Sequence, residues 1–196
     1  MVKIKPWWII LGVVVLLILW FVGSYNGLVN AKQAVGQSWG DVQTTYQRRL
    51  DLIPNLVNTV QGAVKFEQTT QTQIAALRTG VEQAKTALAN AQTSDERIAA
   101  VQQADQASAS FKSLNINVEN YPQLKATENF LSLQDELAGT ENRVAVARQR
   151  FNEAVKTFNV KVQRFPTNIV AGMFGFTQEK YFESQPGAET APKVTF

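Results

Sequence analysis

Residues 6–23 read PWWIILGVVVLLILWFVG. None of these side chains is charged, and only the indoles of Trp7, Trp8 and Trp20 can hydrogen-bond. At about 1.5 Å per residue the stretch makes roughly 27 Å of helix, close to the hydrocarbon thickness of a bilayer. Within lipid a single segment satisfies its backbone only as a helix. Trp7 and Trp8 stand at one end and Trp20, Phe21 and Tyr25 at the other, in the manner of interfacial aromatic belts. Two other readings are weaker. The run is longer than the apolar part of a signal peptide, and Val22-Gly23-Ser24 is a poor cleavage site. It is also longer than the apolar runs of about 10–14 residues that suit a buried core helix. A permanent single-pass anchor is therefore expected. Lys3 and Lys5 precede it, while the residues that follow carry only Lys32 and Asp41 as far as position 43. The positive-inside bias then leaves the N-terminus in the cytoplasm and carries the main domain across the membrane.

Composition narrows what that domain can do. The chain has 196 residues, leaving about 170 outside the span, enough for one domain with a sizeable core. It has no cysteine and no histidine. Disulfides, thiol chemistry, Ser-His-Asp triads, Cys-His dyads and most zinc sites are thereby excluded. An all-carboxylate magnesium or calcium site stays open in principle, but neither EF-hand spacing nor clustered aspartates occur. Asp135 and Glu136 are adjacent on a helix and so do not face each other, which argues against paired-carboxylate hydrolysis. The expectation is a protein that is not an enzyme and needs no cofactor. Of the net charge of +3, three cations flank the span, and no basic stripe interleaved with aromatics suggests nucleic acid.

Beyond the span the apolar residues follow helical periods. Leu28, Val35, Trp39, Val42, Tyr46 and Leu50 share one face of a first helix, and Gly23 or Gly27 is where it could bend. Pro54 disfavours helical backbone at Ile53, so this helix is expected to stop near Asp51 and a second to open at Pro54. The second carries Leu56, Val60 and Ala63, then Ile74, Leu77, Val81, Ala84, Leu88 and Ala91. Glu67, Thr70 and Gln71 interrupt it, either at a solvent-exposed stretch or as a polar layer fixing register. Thr93, Ser94 and Asp95 make a capped turn into a short Ala/Gln-rich third helix bearing Ile98, Val101, Ala104 and Phe111. Residues 113–121 read as a loop, and Pro122 opens a fourth helix. Its stripe of Phe130, Leu133, Leu137, Val144, Phe151, Phe158, Val162 and Phe165 has a near-heptad period, the mark of an antiparallel left-handed bundle. The fold class expected is all-α: an N-terminal transmembrane helix followed by an up-down four-helix bundle. Residues 1–5 are cytoplasmic, 6–23 the span, 24–165 the bundle, 166–183 a short apolar segment and 184–196 a disordered tail.

These boundaries conflict in length. Residues 24–50 give about 40 Å of helix, 54–91 about 57 Å and 123–164 about 63 Å. A straight second helix beside the first would carry Lys65 and Glu67 into lipid. A bend at Gly23 or Gly27, a break at Gly62 or Gly80, or a splayed ring of subunits would each relieve this.

Five stretches carry a family likeness: YNGLV at 25–29, Trp39 with RRLDLIPNLVNTV at 48–60, YPQLKATENFLSLQDELAGTENRVAVARQRFNEAV at 121–155, FPTNIVAGMFGF at 165–176 and YFE at 181–183. Through them the chain resembles the LemA family of bacterial membrane-anchored helical proteins over nearly its whole length. The resemblance implies an anchor in the bacterial inner membrane and an antiparallel helical bundle, and no defined reaction. Residues 69–111 share with the family only a helical, Gln/Ala-rich character. Members commonly show His-Glu where this chain has Phe66-Glu67, so a role built on that histidine is absent. Arg150-Phe151-Asn152 replaces an Arg-Tyr-Asn and removes a hydroxyl.

Two groups are candidate sites. Arg48, Arg49 and Asp51, at the expected turn, join Glu128, Glu141, Asn142 and Arg143 of the fourth helix as an ion-pair cluster that fixes the turn, or as a polar docking surface. Met173, Phe174, Phe176, Tyr181 and Phe182 either touch the membrane interface or cap the bundle. The function expected is a membrane-anchored scaffold or adaptor of the bacterial envelope, self-associating as a homo-oligomer. The alternative is a membrane-tethered receptor or chaperone-like module for envelope proteins or peptides. The partners expected are the lipid bilayer, further copies of the chain and other envelope proteins.

Overall fold

A computed structural model describes residues 6–63, 68–113 and 128–183, and among them the fold is all helix and connecting backbone. The helices are α1 (Pro6–Ala63), α2 (Gln68–Asn90), α3 (Ser94–Ser113), α4 (Glu128–Gln163) and α5 (Thr167–Met173). The expected loop at 113–121, the helix start at Pro122 and the tail at 184–196 lie outside the described residues, apart from Ser113, which ends α3.

The break expected between Asp51 and Pro54 does not exist. α1 is one helix of 58 residues with Pro54 inside it. A proline in a helix interior costs about 3 kcal/mol through a lost hydrogen bond and a ring clash. Against this, Leu50, Ile53, Leu56, Val57 and Val60 continue one buried face straight across the proline. At about 1.5–3 kcal/mol for each large apolar side chain, that face outweighs the penalty. The local rule for the residue before proline lost to tertiary burial. Because the backbone has already accommodated the ring, Pro54→Ala should restore the N–H hydrogen bond to the Leu50 carbonyl and stabilise the bundle by about 1 kcal/mol. A rise in the urea midpoint of the detergent-solubilised protein measures it. A fall would mean that the proline itself is needed for packing.

The continuous α1 removes the length conflict. Its part beyond residue 23 is about 60 Å long and α4 about 54 Å, whereas α2 and α3 are about 35 and 30 Å. Cross-helix pairs set the directions. Arg78 of α2 donates to Asn58 and Gln61, Lys85 meets Asp51, and Gln43 donates to the Leu88 carbonyl, so α2 descends along α1. Arg97 lies over Trp39 and Tyr46 donates to Asp105, so α3 ascends. Trp39 meets Phe151 and Lys161 donates to the Gly27 carbonyl, so α4 descends the full length. The hairpin is thus about half as tall as the pair it leans on. Its turn is a capping box: the Thr93 hydroxyl accepts from the Glu96 amide, and the Glu96 carboxylate accepts from the amides of Gln92 and Thr93.

The chain itself fills the space below the turn. After α5 folds under the bundle with Val170 and Ala171 against Leu28, the backbone reverses at Gly175, whose φ of +71° is strained for any residue with a side chain. Residues 176–183 then climb back along α4 as an extended strap. Phe176 packs on Tyr25 and Phe158, and Phe182 reaches Trp39 and Phe151.

Candidate functional site: a charged seam beside the strap

Three side chains from α1 and α4 converge on Asp105 of α3. Tyr46, fully buried on α1, donates its hydroxyl to the carboxylate at 3.0 Å. Arg49, one turn further along α1 and only 8% exposed, lies 3.8 Å from it. Arg148 of α4 approaches to 3.4 Å from the other side. Each side chain is placed by an apolar stripe: Tyr46 and Leu50 bracket Arg49, Ala104 precedes Asp105, and Ala147 precedes Arg148. Burial, then the Asp105 charge, push the Tyr46 phenol well above its ordinary range, so its hydroxyl stays a donor.

The seam continues along α4. Arg49 donates to Glu141 at 3.2 Å, and Lys112 of α3 meets the same carboxylate at 2.6 Å. The hydrogen bond from Lys112 holds the Glu141 carboxyl below its usual range, against the opposing effect of partial burial. A depressed folded value stabilises above the unfolded carboxylate's pKa and is lost as pH falls through the folded one. Stability should therefore drop on acidification below about pH 4.3, and Glu141→Gln should flatten that drop. Thermal melts at neutral and acid pH compare the two slopes, and equal slopes would place the acid loss elsewhere. Arg48 pairs with Glu136 and Asp51 with Lys85, both more exposed.

The strap is held by amide side chains spaced seven residues apart on α4. Asn159 accepts from the Glu179 amide at 2.9 Å and donates to its carbonyl at 2.8 Å. Asn152 does the same for Phe182, at 2.8 and 2.9 Å. Arg148 donates to the Glu183 carbonyl at 2.9 Å and lies over the Phe182 ring. Ser94 bonds Glu179, and Arg97 lies 3.8 Å from the same carboxylate. A groove of about 870 Å³ runs between α3 and the strap, walled by Ile98, Val101, Asp105 and Arg148.

Of the residues singled out in sequence, Arg49 and Glu141 meet in the seam. Arg48 pairs with Glu136 and Asp51 with Lys85 beside it, in mid-helix rather than at a turn. Asn142 and Arg143 are exposed on α4, away from Asp105. The Glu128 side chain lies outside the described part. Asp105, Arg148 and Tyr46 were missed. The signal was present in Asp105, a carboxylate directly following Val101 and Ala104 on the apolar side of α3. Among the five apolar candidates, Phe182 is buried in the core and Phe176 half-buried, while Met173, Phe174 and Tyr181 are exposed. Among the described residues no group of three or more carboxylates is placed to hold a metal ion.

The model of the LemA family matches residues 38–196. The chain belongs to the LemA family. Among relatives of this LemA-family chain, the magnetosome protein MamQ 2 of Paramagnetospirillum magneticum is 31% identical over 78 residues, 40% of this chain and 28% of that protein. MamQ of Magnetospirillum gryphiswaldense matches at the same identity and coverage. Protein LemA of Metamycoplasma hominis is 24% identical over 151 residues, covering 77% of this chain and 65% of its own. The chain thus spans under a third of the magnetosome proteins it matches. Family membership and the exposed apolar start of α1, long enough to cross a bilayer, mark a membrane-anchored protein.

Proposed function

We propose that this LemA-family protein is a membrane-anchored, non-enzymatic scaffold of the bacterial envelope that associates with further copies of itself, anchored in the inner membrane with its N-terminus in the cytoplasm. The observation that carries the reading is the outer surface of the α2–α3 hairpin. The groove there, of about 620 Å³, is lined by Gln73, Gln83, Gln103 and Gln106 among Leu77, alanine, glycine and serine. The residues lining it carry no charge to desolvate, which suits the side-by-side packing of identical helices. The charged groups of the seam pair with one another, which supports a structural role. Light scattering of the full chain in mild detergent, corrected for bound detergent, tests the proposal. A discrete oligomer that falls apart in Gln83→Glu/Gln103→Glu supports it, and a monomer at micromolar concentration overturns it.

A second reading, a receptor for extended peptides, rests on how Asn152 and Asn159 already grip an extended backbone through groups that every residue carries. That mode reads main chain rather than sequence.

A further inference from the structure

α5 has two apolar faces, and only one is used inside the molecule. Val170 and Ala171 pack on Leu28. Ile169 and Met173 stand four residues apart on the other side and are 54% and 68% exposed, and Phe165, just before the helix, is 75% exposed. Phe174, half exposed, stacks on Phe21 and Tyr25 with ring centres 5.9 and 4.6 Å away. Phe21 belongs to the apolar stretch 6–23, so α5 is pinned where that stretch ends. This is a contiguous apolar surface on an element that the rest of the bundle leaves uncovered.

The charge around it is one-sided. Residues 6–40 and 154–178, which build this end of the bundle, contain Lys32, Lys156, Lys161 and Arg164 and no aspartate or glutamate, and Glu179, held on Asn159, turns its carboxylate to Ser94 and Arg97. Lys161 is held by the Gly27 carbonyl and Lys32 lies over the Phe176 ring, so two of the four cations are fixed at the level of α5. Further up, cations and carboxylates alternate, as in the seam.

We propose that this end of the bundle is a second membrane contact, in which α5 rests its outer face in the headgroup layer beside the span and the four cations meet anionic lipid. The proposal rests on the reading of residues 6–23 as the span. An interfacial helix buries its apolar face shallowly while cations on its flanks engage negative headgroups, and α5 with its collar has both features. Pinning by Phe21 and Tyr25 then fixes the tilt of the bundle on the membrane, so the seam and the hairpin stand at a set height. A bundle held only by the span would have its tilt set by α1 alone.

The absence of native cysteine makes the test direct. Single cysteines are placed in the full chain at Ile169, Met173, Asn168, Thr177 and Leu16, spin-labelled, and reconstituted in phosphatidylcholine vesicles with and without phosphatidylglycerol. Collision with oxygen is compared with collision with a water-soluble nickel chelate. Labels at Ile169 and Met173 should favour oxygen, and labels at Asn168 and Thr177 the chelate, with a contrast that grows when phosphatidylglycerol is present. Lys156→Glu/Arg164→Glu should abolish that growth. Chelate access at Ile169 and Met173 equal to that at Asn168, with Leu16 still in lipid, overturns the proposal alone. Exclusion of both reagents with spin–spin broadening at Met173 puts a second copy there and overturns it too. Chelate access at Leu16 overturns the span and this contact together.

Discussion

Replacing Phe151 by alanine should lower the stability of the bundle by about 3–5 kcal/mol, as deletion of a large core side chain does when its surroundings cannot collapse into the space. Phe151 is fully buried at the crossing of α1, α4 and the strap, with ring centres 6.2 Å from Trp39 and 4.6 Å from Phe182. None of these neighbours can move in easily. Trp39 is fixed on the long α1, and Phe182 is tied through its own backbone to Asn152. For a domain of this size the loss corresponds to a fall in melting temperature of roughly 10 °C. The strap should also come loose first, since Phe182 would have lost an aromatic wall while its two amide bonds stay formed. Limited proteolysis after residue 176, run beside a thermal melt, would show cleavage in Phe151→Ala below its melting temperature. Phe165→Ala is the matching control: that ring is exposed, and its removal should leave the melt unchanged. Equal melts for Phe151→Ala and the unmodified chain would mean that the strap does not close the core.

Those residues also show what sequence could reveal. The near-heptad stripe of α4, including Phe130, Val144, Phe151 and Phe158, is buried as its period requires, because one long helix against another leaves only one face for the core. The capped turn at Thr93, Ser94 and Asp95 was legible for a local reason, short polar side chains beside backbone amides to satisfy, while the reciprocal bonds of Glu96 were not. Pro54 misled because its effect on the preceding residue is local, whereas the burial that overrides it depends on helices distant in sequence. The strap was legible only as a short apolar segment. Its extended backbone has no period of its own and takes its place from Asn152 and Asn159, whose role as backbone partners no spacing announces. Likewise Arg49 and Glu141 were visible as charges near apolar stripes, but Asp105, the carboxylate between them and Arg148, becomes central only when α3 lies beside both α1 and α4.

Asp105→Ala is accordingly the polar substitution with the largest expected effect, a loss of about 3 kcal/mol. Three groups lose a partner at once. The Tyr46 hydroxyl, fully buried, is left without its acceptor, and Arg49 and Arg148 lose a carboxylate placed between them. The figure sits at the low end of the range for breaking a buried pair because Asp105 keeps 23% of its side chain exposed, and because Arg49 retains Glu141 and Arg148 retains the Glu183 carbonyl. Most of the loss should come from stranding partners rather than from the attraction itself. The triple substitution Tyr46→Phe/Arg49→Met/Asp105→Leu, which removes buried polar groups together, should therefore recover most of what Asp105→Ala loses. Urea midpoints for the two variants and the unmodified chain decide the matter. A triple variant no more stable than Asp105→Ala would show that the seam supplies net attraction. Wild-type oligomer mass in a destabilised Asp105→Ala would keep the seam structural, and a stable Asp105→Ala that had lost its oligomer would make it a docking surface.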